Sequence, residues 1–215
     1  MTRTVVVADY GVGNLLSVCR AVEFGGGTPI CSPDPDVLRS AERLVLPGVG
    51  AFGNGMQELI ARGLAQAIRE FTATGRPLLG ICLGMQLLFD ASEEFGPTDG
   101  LGLIPGAVSG LPDTDADGKR HKIPHIGWNT LTRPQDLADW NGTLLEETPT
   151  DASFYFVHSF SPRATNSADN LAFCTYNGRV FTAAVQHENI VGVQFHPEKS
   201  GPRGLALIER FITTS

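Results

Sequence analysis

The sequence predicts an α/β protein in which a mostly parallel central sheet carries helices on both faces. In the first half, short runs of buried-strand type alternate with segments whose apolar residues recur at helical spacing, and this alternation is typical of parallel sheets. The final third is rich in strand patterns instead. The 215 residues are 42% hydrophobic and 18% charged, a composition typical of an ordinary globular protein. We therefore expect a single domain over residues 1–215.

The elements of the first half are predicted in chain order from apolar runs and their breaks. Glycines at positions 25–27 end the first predicted helix, because glycine has the backbone freedom that a helix end needs. The predicted strands are residues 4–9, 28–31, 43–47 and 77–82. The predicted helices are residues 15–24, 53–74 and 83–91.

The second half begins with a broken region. Residues 95–151 show short patterns with frequent glycine, which we interpret as an elaboration of the same domain. The strands predicted after it are residues 153–160, 171–176, 179–185 and 190–195. Asn177-Gly178, between two of these strands, is a strong signal for a two-residue hairpin. A short helix over residues 204–213 is expected to close the fold.

Charge and hydropathy exclude several classes of function. The formal net charge is −7 and no cluster of Lys and Arg is visible, so we expect no nucleic-acid partner. No apolar run approaches the roughly 18 residues of a membrane span, and the opening MTRTVVV lacks a secretory cleavage pattern. Widely spaced cysteines without a CxxC pair suggest reduced thiols in a cytoplasmic protein. They are Cys19, Cys31, Cys82 and Cys174.

The sharpest motif is GICLG at residues 80–84, where a predicted strand meets a predicted helix. This is the spacing of a nucleophile elbow, with Cys82 as the nucleophile and glycines where side chains would clash in the tight turn. The backbone N–H of Leu83 can then point at a developing oxyanion, and the helix N-terminus stabilises a thiolate. A buried structural cysteine beside packing glycines is the alternative interpretation of this window.

His196-Pro197-Glu198 supplies a candidate base and orienting group. Proline disfavours helix at the preceding residue, so His196 should be extended, and residues i and i+2 of an extended segment point the same way. Glu198 can therefore orient the His196 imidazole, in the nucleophile–base–orienter logic of a catalytic triad. Taken alone, the window also fits a strand-ending histidine with an exposed glutamate. The spacing of the other histidines matches no zinc motif, so we expect neither a metal nor a cofactor.

A glycine pattern at residues 48–53 imitates a dinucleotide-binding fingerprint. The match follows the third predicted strand, whereas the fingerprint belongs to the first, and Glu70, near the distance of the required acidic residue, lies in a helical pattern. We interpret residues 47–50 as a second source of oxyanion-binding N–H groups, from Val49 or Gly50. Small residues there let the backbone approach a substrate closely.

Two segments together resemble a known family. GICLGMQLLF at residues 80–89 and VQFHPEKSG at residues 193–201 resemble class I (triad) glutamine amidotransferases. DYGVGN at 9–14, PGVGAF at 47–52, PHIGWN at 124–129 and YFVHSF at 155–160 narrow the resemblance. These four segments are similar to the glutaminase subunits of imidazole glycerol phosphate synthases. The resemblance extends from residue 4 to about residue 212.

The resemblance implies a flavodoxin-like α/β sandwich and a defined chemistry. Cys82 would attack the side-chain amide of glutamine to form a γ-glutamyl thioester that water resolves, while His196 carries protons and Glu198 orients it. Backbone N–H groups of Leu83 and of residue 49 or 50 would hold the oxyanion. The residues implied to bind the substrate glutamine are Gln86, Glu94, His158, Ser159 and Phe160. Phe160 stands where tyrosine is common in the family, which removes a hydroxyl group from the site.

The resemblance also implies a partner. Released ammonia would pass to a (βα)8-barrel cyclase subunit, in a heterodimer that makes imidazole glycerol phosphate and aminoimidazole carboxamide ribonucleotide during histidine biosynthesis. The partner's nucleotide ligand stimulates the glutaminase in this family. Asn14, Trp128 and Lys199 would lie near the subunit interface. Their alternative interpretations are a turn residue, a core aromatic residue and a solvated lysine.

Three rival functions stay open at this stage. The nearest is an amidotransferase subunit that serves anthranilate, aminodeoxychorismate or pyridoxal phosphate synthesis, against which only the segments DYGVGN and PHIGWN argue. The second is a regulatory homologue without turnover, against which the intact Cys82, His196 and Glu198 argue. The third is a stand-alone cysteine peptidase or γ-glutamyl hydrolase on the same fold.

Overall fold

The computed structural model describes residues 3–214, so Met1 and Thr2 of the opening segment lie outside the described residues, as does Ser215. The strands are β1 (Thr4–Ala8), β2 (Thr28–Ser32), β3 (Leu44–Gly48), β4 (Leu78–Cys82), β5 (Phe89–Ser92), β6 (Thr98–Asp99), β7 (Ile104–Gly110), β8 (His125–Thr130), β9 (Ser153–His158), β10 (Phe160–Ala164), β11 (Asn170–Tyr176), β12 (Arg179–His187) and β13 (Ile190–Val193). The helices are α1 (Leu15–Phe24), α2 (Pro35–Ser40), α3 (Phe52–Ala61), α4 (Leu64–Thr72), α5 (Leu83–Leu87) and α6 (Gly201–Thr213).

The central sheet has seven strands in the order β11-β12-β13-β4-β3-β1-β2. The strands from β13 to β2 run parallel, whereas β12 and β11 are antiparallel to their neighbours. The prediction of a mostly parallel sheet is therefore confirmed. Because β3, β4 and β13 are adjacent and parallel, their carboxyl ends meet at one edge of the sheet. Three segments leave the sheet at this edge, namely residues 49–51, the elbow at Cys82 and the segment that leads to His196.

Helices cover both faces of this sheet, as the sequence predicts. On one face the buried residues of α1 and α6 pack together, and on the other face those of α2, α3, α4 and α5 do so. Phe71 and Leu59 are fully buried in the second cluster, and Phe211 and Val22 are buried in the first. Burial of each such side chain stabilises the fold by about 1.5–3 kcal/mol.

Two smaller sheets accompany the central sheet. One has the strand order β10-β7-β5-β6, and the other is the antiparallel pair β8-β9, in which His125 lies opposite His158. Residues 95–151, predicted as an elaboration, supply β6, β7 and β8. The Asn177-Gly178 hairpin is confirmed, since both residues have positive φ, 48° and 75°, and they join β11 to β12.

Two helix predictions in the first half are wrong in their bounds. Residues 83–91 form a helix only as far as Leu87, whose carbonyl oxygen accepts a hydrogen bond from the N–H of Leu101 instead of continuing the helix. The chain then enters β5, which pairs with β6 and β7. Residues 53–74 form α3 and α4 rather than one helix, because Gly63 adopts a left-handed conformation with φ of 72°.

Helix α2 and five strands were not predicted, and these strands are β5, β6, β7, β8 and β10. The short helix α2 begins with Asp34, whose side chain accepts a hydrogen bond from the N–H of Asp36, and with Pro35 in the first turn. Aspartate followed by proline is a recognised helix-start signal, so the sequence did carry the information. The strand predicted over residues 153–160 ends at His158, and β10 then pairs with β7 in a different sheet.

The expectation of four free thiols is wrong for one pair. Cys19 of α1 and Cys31 of β2 are joined by a disulfide bond, because these consecutive elements pack against each other. Cys82 and Cys174 are free and buried. Burial raises the pKa of the Cys174 thiol to about 12, so this thiol stays protonated and unreactive near neutral pH. Within residues 3–214, no helix is both long and apolar enough to cross a lipid bilayer.

Candidate active site

Cys82 ends β4 and begins α5 with a backbone conformation that is rare for residues other than glycine, φ 55° and ψ −110°. A methyl group on Gly84 would overlap the carbonyl oxygen of Leu46 in β3, and one on Gly80 would lie 2.9 Å from the carbonyl oxygen of Gly84. The glycines of the predicted elbow are therefore required by close backbone approach. The elbow places the thiol at the carboxyl edge of the sheet.

His196 and Glu198 form a buried pair next to this elbow. The Nδ1 atom of His196 lies 2.8 Å from Oε1 of Glu198, and both side chains are only 2% exposed. The backbone N–H of His196 donates to the carbonyl oxygen of Tyr155, and the Ser200 hydroxyl donates to the His196 carbonyl oxygen. The alternative of an exposed glutamate is therefore wrong, and both the Nδ1 side of the imidazole and the backbone of His196 are fixed.

The electrostatics of His196 favour its protonated form. Burial alone would lower the pKa of His196, but interactions with Cys82 and with Glu198 outweigh it and raise that pKa to about 9. The Nε2 atom is buried and has no geometric hydrogen-bond partner within residues 3–214. It is therefore available to exchange a proton with the neighbouring sulfur or with a substrate. A protonated imidazole beside Cys82 stabilises the nucleophilic thiolate.

Gln194 is a site residue that the sequence interpretation missed. Its buried side chain donates from Nε2 to the Cys82 sulfur at 3.6 Å and accepts at Oε1 from Gln86 at 3.0 Å. The Gln86 amide also donates to the carbonyl oxygen of Phe160 at 3.0 Å. Gln194 precedes His196 by two residues, so the rule that placed Glu198 beside His196 would also have found Gln194.

A cleft of about 270 Å³ opens over the thiol. It brings together Cys82 and His196 of the predicted triad and every residue predicted for the oxyanion or the substrate. Pro124 and Val157 also line it, and they lie in the segments PHIGWN and YFVHSF but were not predicted as site residues. The lining consists of Val49, Gly50, Cys82, Leu83, Gln86, Glu94, Pro124, Val157, His158, Ser159, Phe160 and His196. Glu198 lies behind His196, outside the lining.

The backbone of residues 47–50 passes directly beside the nucleophile. Gly48 pairs with Cys82 in the β3–β4 register, and a side chain on Gly48 would come within 2.9 Å of the Cβ of Leu83. Leu83 is the first residue of α5, so its N–H has no partner inside the helix. Gly50 has φ of 103°. This arrangement brings the predicted oxyanion residues to one side of the thiol.

Glu94 and His158 line the cleft, and hydrogen bonds fix both side chains. Glu94 accepts at 2.6 Å from the N–H of Phe52, at the start of α3, which otherwise lacks a side-chain cap. His158 lies with Nδ1 2.9 Å from the carbonyl oxygen of Phe160. Burial lowers the pKa of His158 to about 4, against the effect of this hydrogen bond. His158 is therefore neutral at pH 7 and donates from Nδ1.

The three predicted interface residues lie on elements around the cleft and are exposed. The Asn14 side chain accepts a hydrogen bond from the N–H of Ser17 at 3.4 Å. Asn14 therefore caps the start of α1, as its alternative interpretation as a turn residue suggests. Trp128 on β8 is 56% exposed, so the alternative of a core aromatic residue is wrong. Lys199 is exposed at the end of a 3₁₀ turn that begins with Pro197. Within residues 3–214, no group of three metal-binding side chains is found.

A thiol on an elbow of an open α/β sheet, with a buried His–Glu pair beside it, is the arrangement expected of an amide-hydrolysing enzyme of the Cys-His-Glu triad class. Residues 20–214 match the family model described as glutamine amidotransferase class-I, and the chain belongs to this family. The resemblance drawn from the sequence motifs is thereby confirmed.

The sequence similarity to known relatives covers nearly the whole chain. A protein of Legionella pneumophila (strain Lens), named imidazole glycerol phosphate synthase subunit HisH 1, is 47% identical over 209 residues, which cover 97% of this chain and 98% of that protein. A protein of Sulfurimonas denitrificans, named imidazole glycerol phosphate synthase subunit HisH, is 43% identical over 207 residues, 96% of either chain.

Solved structures with lower sequence identity confirm the fold. The structure of PurLQS from Thermotoga maritima has a TM-score of 0.71 at 20% identity, covering 99% of this chain and 98% of that one. A putative GMP synthase protein from Thermoplasma acidophilum has a TM-score of 0.69 at 17% identity, covering 99% and 93%. The predicted flavodoxin-like α/β sandwich is the fold that these structures share with the chain.

Proposed function

We propose that the chain is the glutaminase subunit of an imidazole glycerol phosphate synthase and that it hydrolyses glutamine to glutamate and ammonia with Cys82, His196 and Glu198. The observation that carries the chemistry is the thiol of Cys82 beside the buried His196–Glu198 pair in a cleft. Identities of 43–47% to proteins named as HisH subunits support the particular synthase.

The reaction follows from the positions of these groups. The Cys82 thiolate attacks the side-chain amide carbon of glutamine, and a C–S bond forms while the carbonyl oxygen becomes an oxyanion. N–H groups of Leu83 and of Val49 or Gly50 stabilise this oxyanion. Protonated His196 gives its Nε2 proton to the amide nitrogen, and the C–N bond then breaks to release ammonia.

The second half of the reaction regenerates the enzyme. Neutral His196 takes a proton from water, which attacks the γ-glutamyl thioester, and the C–S bond breaks to release glutamate. Throughout both steps the Glu198 carboxylate accepts a hydrogen bond from the Nδ1–H group of His196 and keeps the ring oriented. Cys82 leaves the cycle as the thiolate that began it.

The cleft offers binding groups for the amino-acid end of glutamine. The Glu94 carboxylate suits an ammonium group, and Gln86 can accept through its carbonyl oxygen because both of its amide protons are engaged. The backbone of His158, Ser159 and Phe160 forms the facing wall. We assign substrate binding to these five residues.

Ammonia would pass to a cyclase partner. We propose that this partner is a (βα)8-barrel subunit in a heterodimer, and that the exposed Asn14, Trp128 and Lys199 contact it. The lyase chemistry of the synthase belongs to that partner. We propose a cytoplasmic location because the reaction belongs to histidine biosynthesis.

The test is glutamate release from glutamine by the purified chain, alone and then with the barrel cyclase and its nucleotide ligand. We expect a weak rate that rises strongly in the complete mixture. A strong rate that does not respond to the cyclase would assign the glutaminase to another pathway. Silence in both conditions would favour the regulatory homologue, and cleavage of casein or a folate polyglutamate would favour the hydrolase alternatives.

A companion test separates the two chemistries. Cys82→Ala should abolish synthesis that depends on glutamine but spare synthesis from ammonium salts, because the partner performs the later steps. Loss of both activities would mean that Cys82 is structural. An electrophilic glutamine analogue should label Cys82, and labelling of Cys174 instead would contradict the assignment.

A further inference from the structure

His125 is a buried imidazole that does not line the cleft but is fixed on every side. Its Nδ1 atom lies 3.0 Å from Nε2 of His158, and its Nε2 atom lies 2.8 Å from Oδ1 of Asn129. The ring is stacked on Phe156 at 5.3 Å and on Tyr176 at 4.2 Å between ring centroids. A polar group held this tightly next to the site must have its hydrogen bonds arranged in one defined way.

The hydrogen bonds continue from His125 into the glutamine site. His158 donates from Nδ1 to the carbonyl oxygen of Phe160, and the Gln86 amide donates to the same oxygen at 3.0 Å. Gln86 is joined to Gln194, which donates to the thiol. The Phe160 carbonyl oxygen is thus the junction at which a chain of buried side chains meets the proposed substrate-binding groups.

The acceptors in this chain determine where the protons lie. The Phe160 carbonyl oxygen can only accept, so a neutral His158 carries its proton on Nδ1 and presents Nε2 as an acceptor. His125 must then donate from Nδ1. Its own Nε2 faces Asn129, which is half-buried and donates from its amide to the carbonyl oxygen of Thr175 at 2.8 Å. The contact without a proton therefore falls between His125 Nε2 and the half-buried Asn129, where solvent can reach it.

We propose that His125 is a positioning residue of the glutamine site: it holds His158 in the tautomer that fixes the Phe160 carbonyl oxygen and, through that oxygen, Gln86. The inference rests on the proposed glutaminase function. A ring nitrogen that is oriented by a second polar group is a recurrent way of fixing the proton and the angle of a site histidine. His125 acts only through His158 and does not touch the substrate.

The test is steady-state glutaminase kinetics of His125→Phe in complex with the cyclase and its nucleotide ligand. Phenylalanine keeps the size and stacking of the ring but donates nothing to His158. We expect KM for glutamine to rise about tenfold while kcat changes less than about threefold, because lost ground-state binding raises KM without changing kcat. His125→Gln, which can still donate to His158, should recover part of the loss.

His187→Phe is the matched control. His187 is half-buried and pairs with Asp169 at 3.1 Å, away from the cleft. The substitution removes a similar interaction and is expected to lower the unfolding temperature, but KM and kcat should stay at the wild-type values. The control therefore separates a positioning effect from destabilisation alone.

Two results would overturn the inference. One is that His125→Phe keeps the wild-type KM and loses kcat only in proportion to its inactive sites. The inactive fraction is measured as the sites that an electrophilic glutamine analogue fails to label. The other needs no variant: ¹⁵N NMR of the wild-type imidazoles that shows His158 protonated on Nε2 rather than Nδ1. If the wild-type complex itself releases no glutamate, the proposed function fails, and that outcome is distinct from both.

Discussion

At the residue scale, the thiol of Cys82 is surrounded by groups that stabilise its anion. The Gln194 amide donates to the sulfur, and the His196 imidazole, with its pKa raised to about 9, carries a positive charge at neutral pH. The Tyr10 hydroxyl, whose pKa is raised by burial and by the nearby Cys82, stays protonated and donates to the Pro47 carbonyl oxygen. The amide of Gln194 and the charge on His196 therefore support the proposed role of Cys82 as a nucleophile.

Replacing Glu198 with glutamine should weaken this arrangement. We expect kcat to fall about 10²- to 10⁴-fold, because the orienting carboxylate of a triad contributes effects of this size. Loss of the Glu198 charge also lowers the pKa of His196. The protonated imidazole is lost as pH rises through its pKa, so the wild-type rate should decline near pH 9, and in Glu198→Gln the decline should begin at lower pH.

The measurement is the pH dependence of glutamate release from about pH 6 to about pH 10, a range that includes the pKa of His196 near 9. Ammonia-dependent synthesis by the partner is the control, since the substitution should leave it unchanged. If the decline in rate at high pH begins at the same pH in Glu198→Gln as in the wild type, the assignment of that decline to His196 is wrong.

Gln194→Leu tests the residue that the sequence interpretation missed. Leucine has a similar size but cannot donate to the sulfur or accept from Gln86. We expect kcat/KM to fall about 10- to 100-fold, because a hydrogen bond to a charged group contributes about 1.5–3 kcal/mol. Alkylation of Cys82 by iodoacetamide should slow in parallel.

Gln186→Leu is the control for this change. Gln186 lies on β12, outside the cleft, and its Oε1 atom is buried without a hydrogen-bond partner within residues 3–214. Its replacement should leave both rates unchanged. Equal losses in the two variants would mean that Gln194 acts through general packing rather than through the sulfur.

At the scale of the elements, the order of the strands brings the site together, because β13, β4 and β3 are neighbours in the central sheet. The sequence predicted β3, β4 and the strand before His196, but it did not predict that β13 lies beside β4, which depends on contacts between residues more than 100 positions apart. The i and i+2 rule found the His196–Glu198 pair because it is a local relation. It could not place β8 against β9, and so the role of His125 was not visible in the sequence.

The limits of local patterns also explain the elements that were mispredicted. Residues 83–91 have a helical pattern, but the Leu87 carbonyl oxygen accepts from Leu101, and pairing with β7 converts residues 89–92 into a strand. Tertiary hydrogen bonding overrides local propensity in such a short segment. Asp34 and Pro35, by contrast, carried a helix-start signal that the interpretation did not use.

The elbow offers a prediction at this scale. Gly84→Ala would push a methyl group into the Leu46 carbonyl oxygen of β3, and we expect the free energy of unfolding to fall by about 3 kcal/mol, the upper end of the usual cost of overpacking. Urea unfolding measures it. The control is Gly53→Ala in α3, where only Thr98 lies within 4 Å, at 3.7 Å, and where alanine should stabilise the helix by about 0.5 kcal/mol.

At the scale of the whole molecule, residues 95–151 connect the site to the surface. They supply β8, whose inward side chains include His125 and Asn129 and whose outward side chains are Ile126 and Trp128, 49% and 56% exposed. Two large apolar side chains on one outer face, close to the cleft, form a surface suited to a protein partner. The strand that orients His158 is therefore the strand that presents this surface.

Trp128→Ala tests whether the cyclase uses that surface. Loss of a central aromatic contact costs about 2 kcal/mol, which is about a 30-fold weaker Kd. We expect calorimetric titration with the cyclase to show this loss, and stimulated glutamate release to require correspondingly more partner. At saturating concentrations of the cyclase the rate should recover, because Trp128 lies outside the cleft.

Phe24→Ala is the control. It removes an aromatic side chain that is 73% exposed at the end of α1, and the variant should bind the cyclase as the wild type does. Equal Kd values for wild type and Trp128→Ala would place the interface on another face of the molecule.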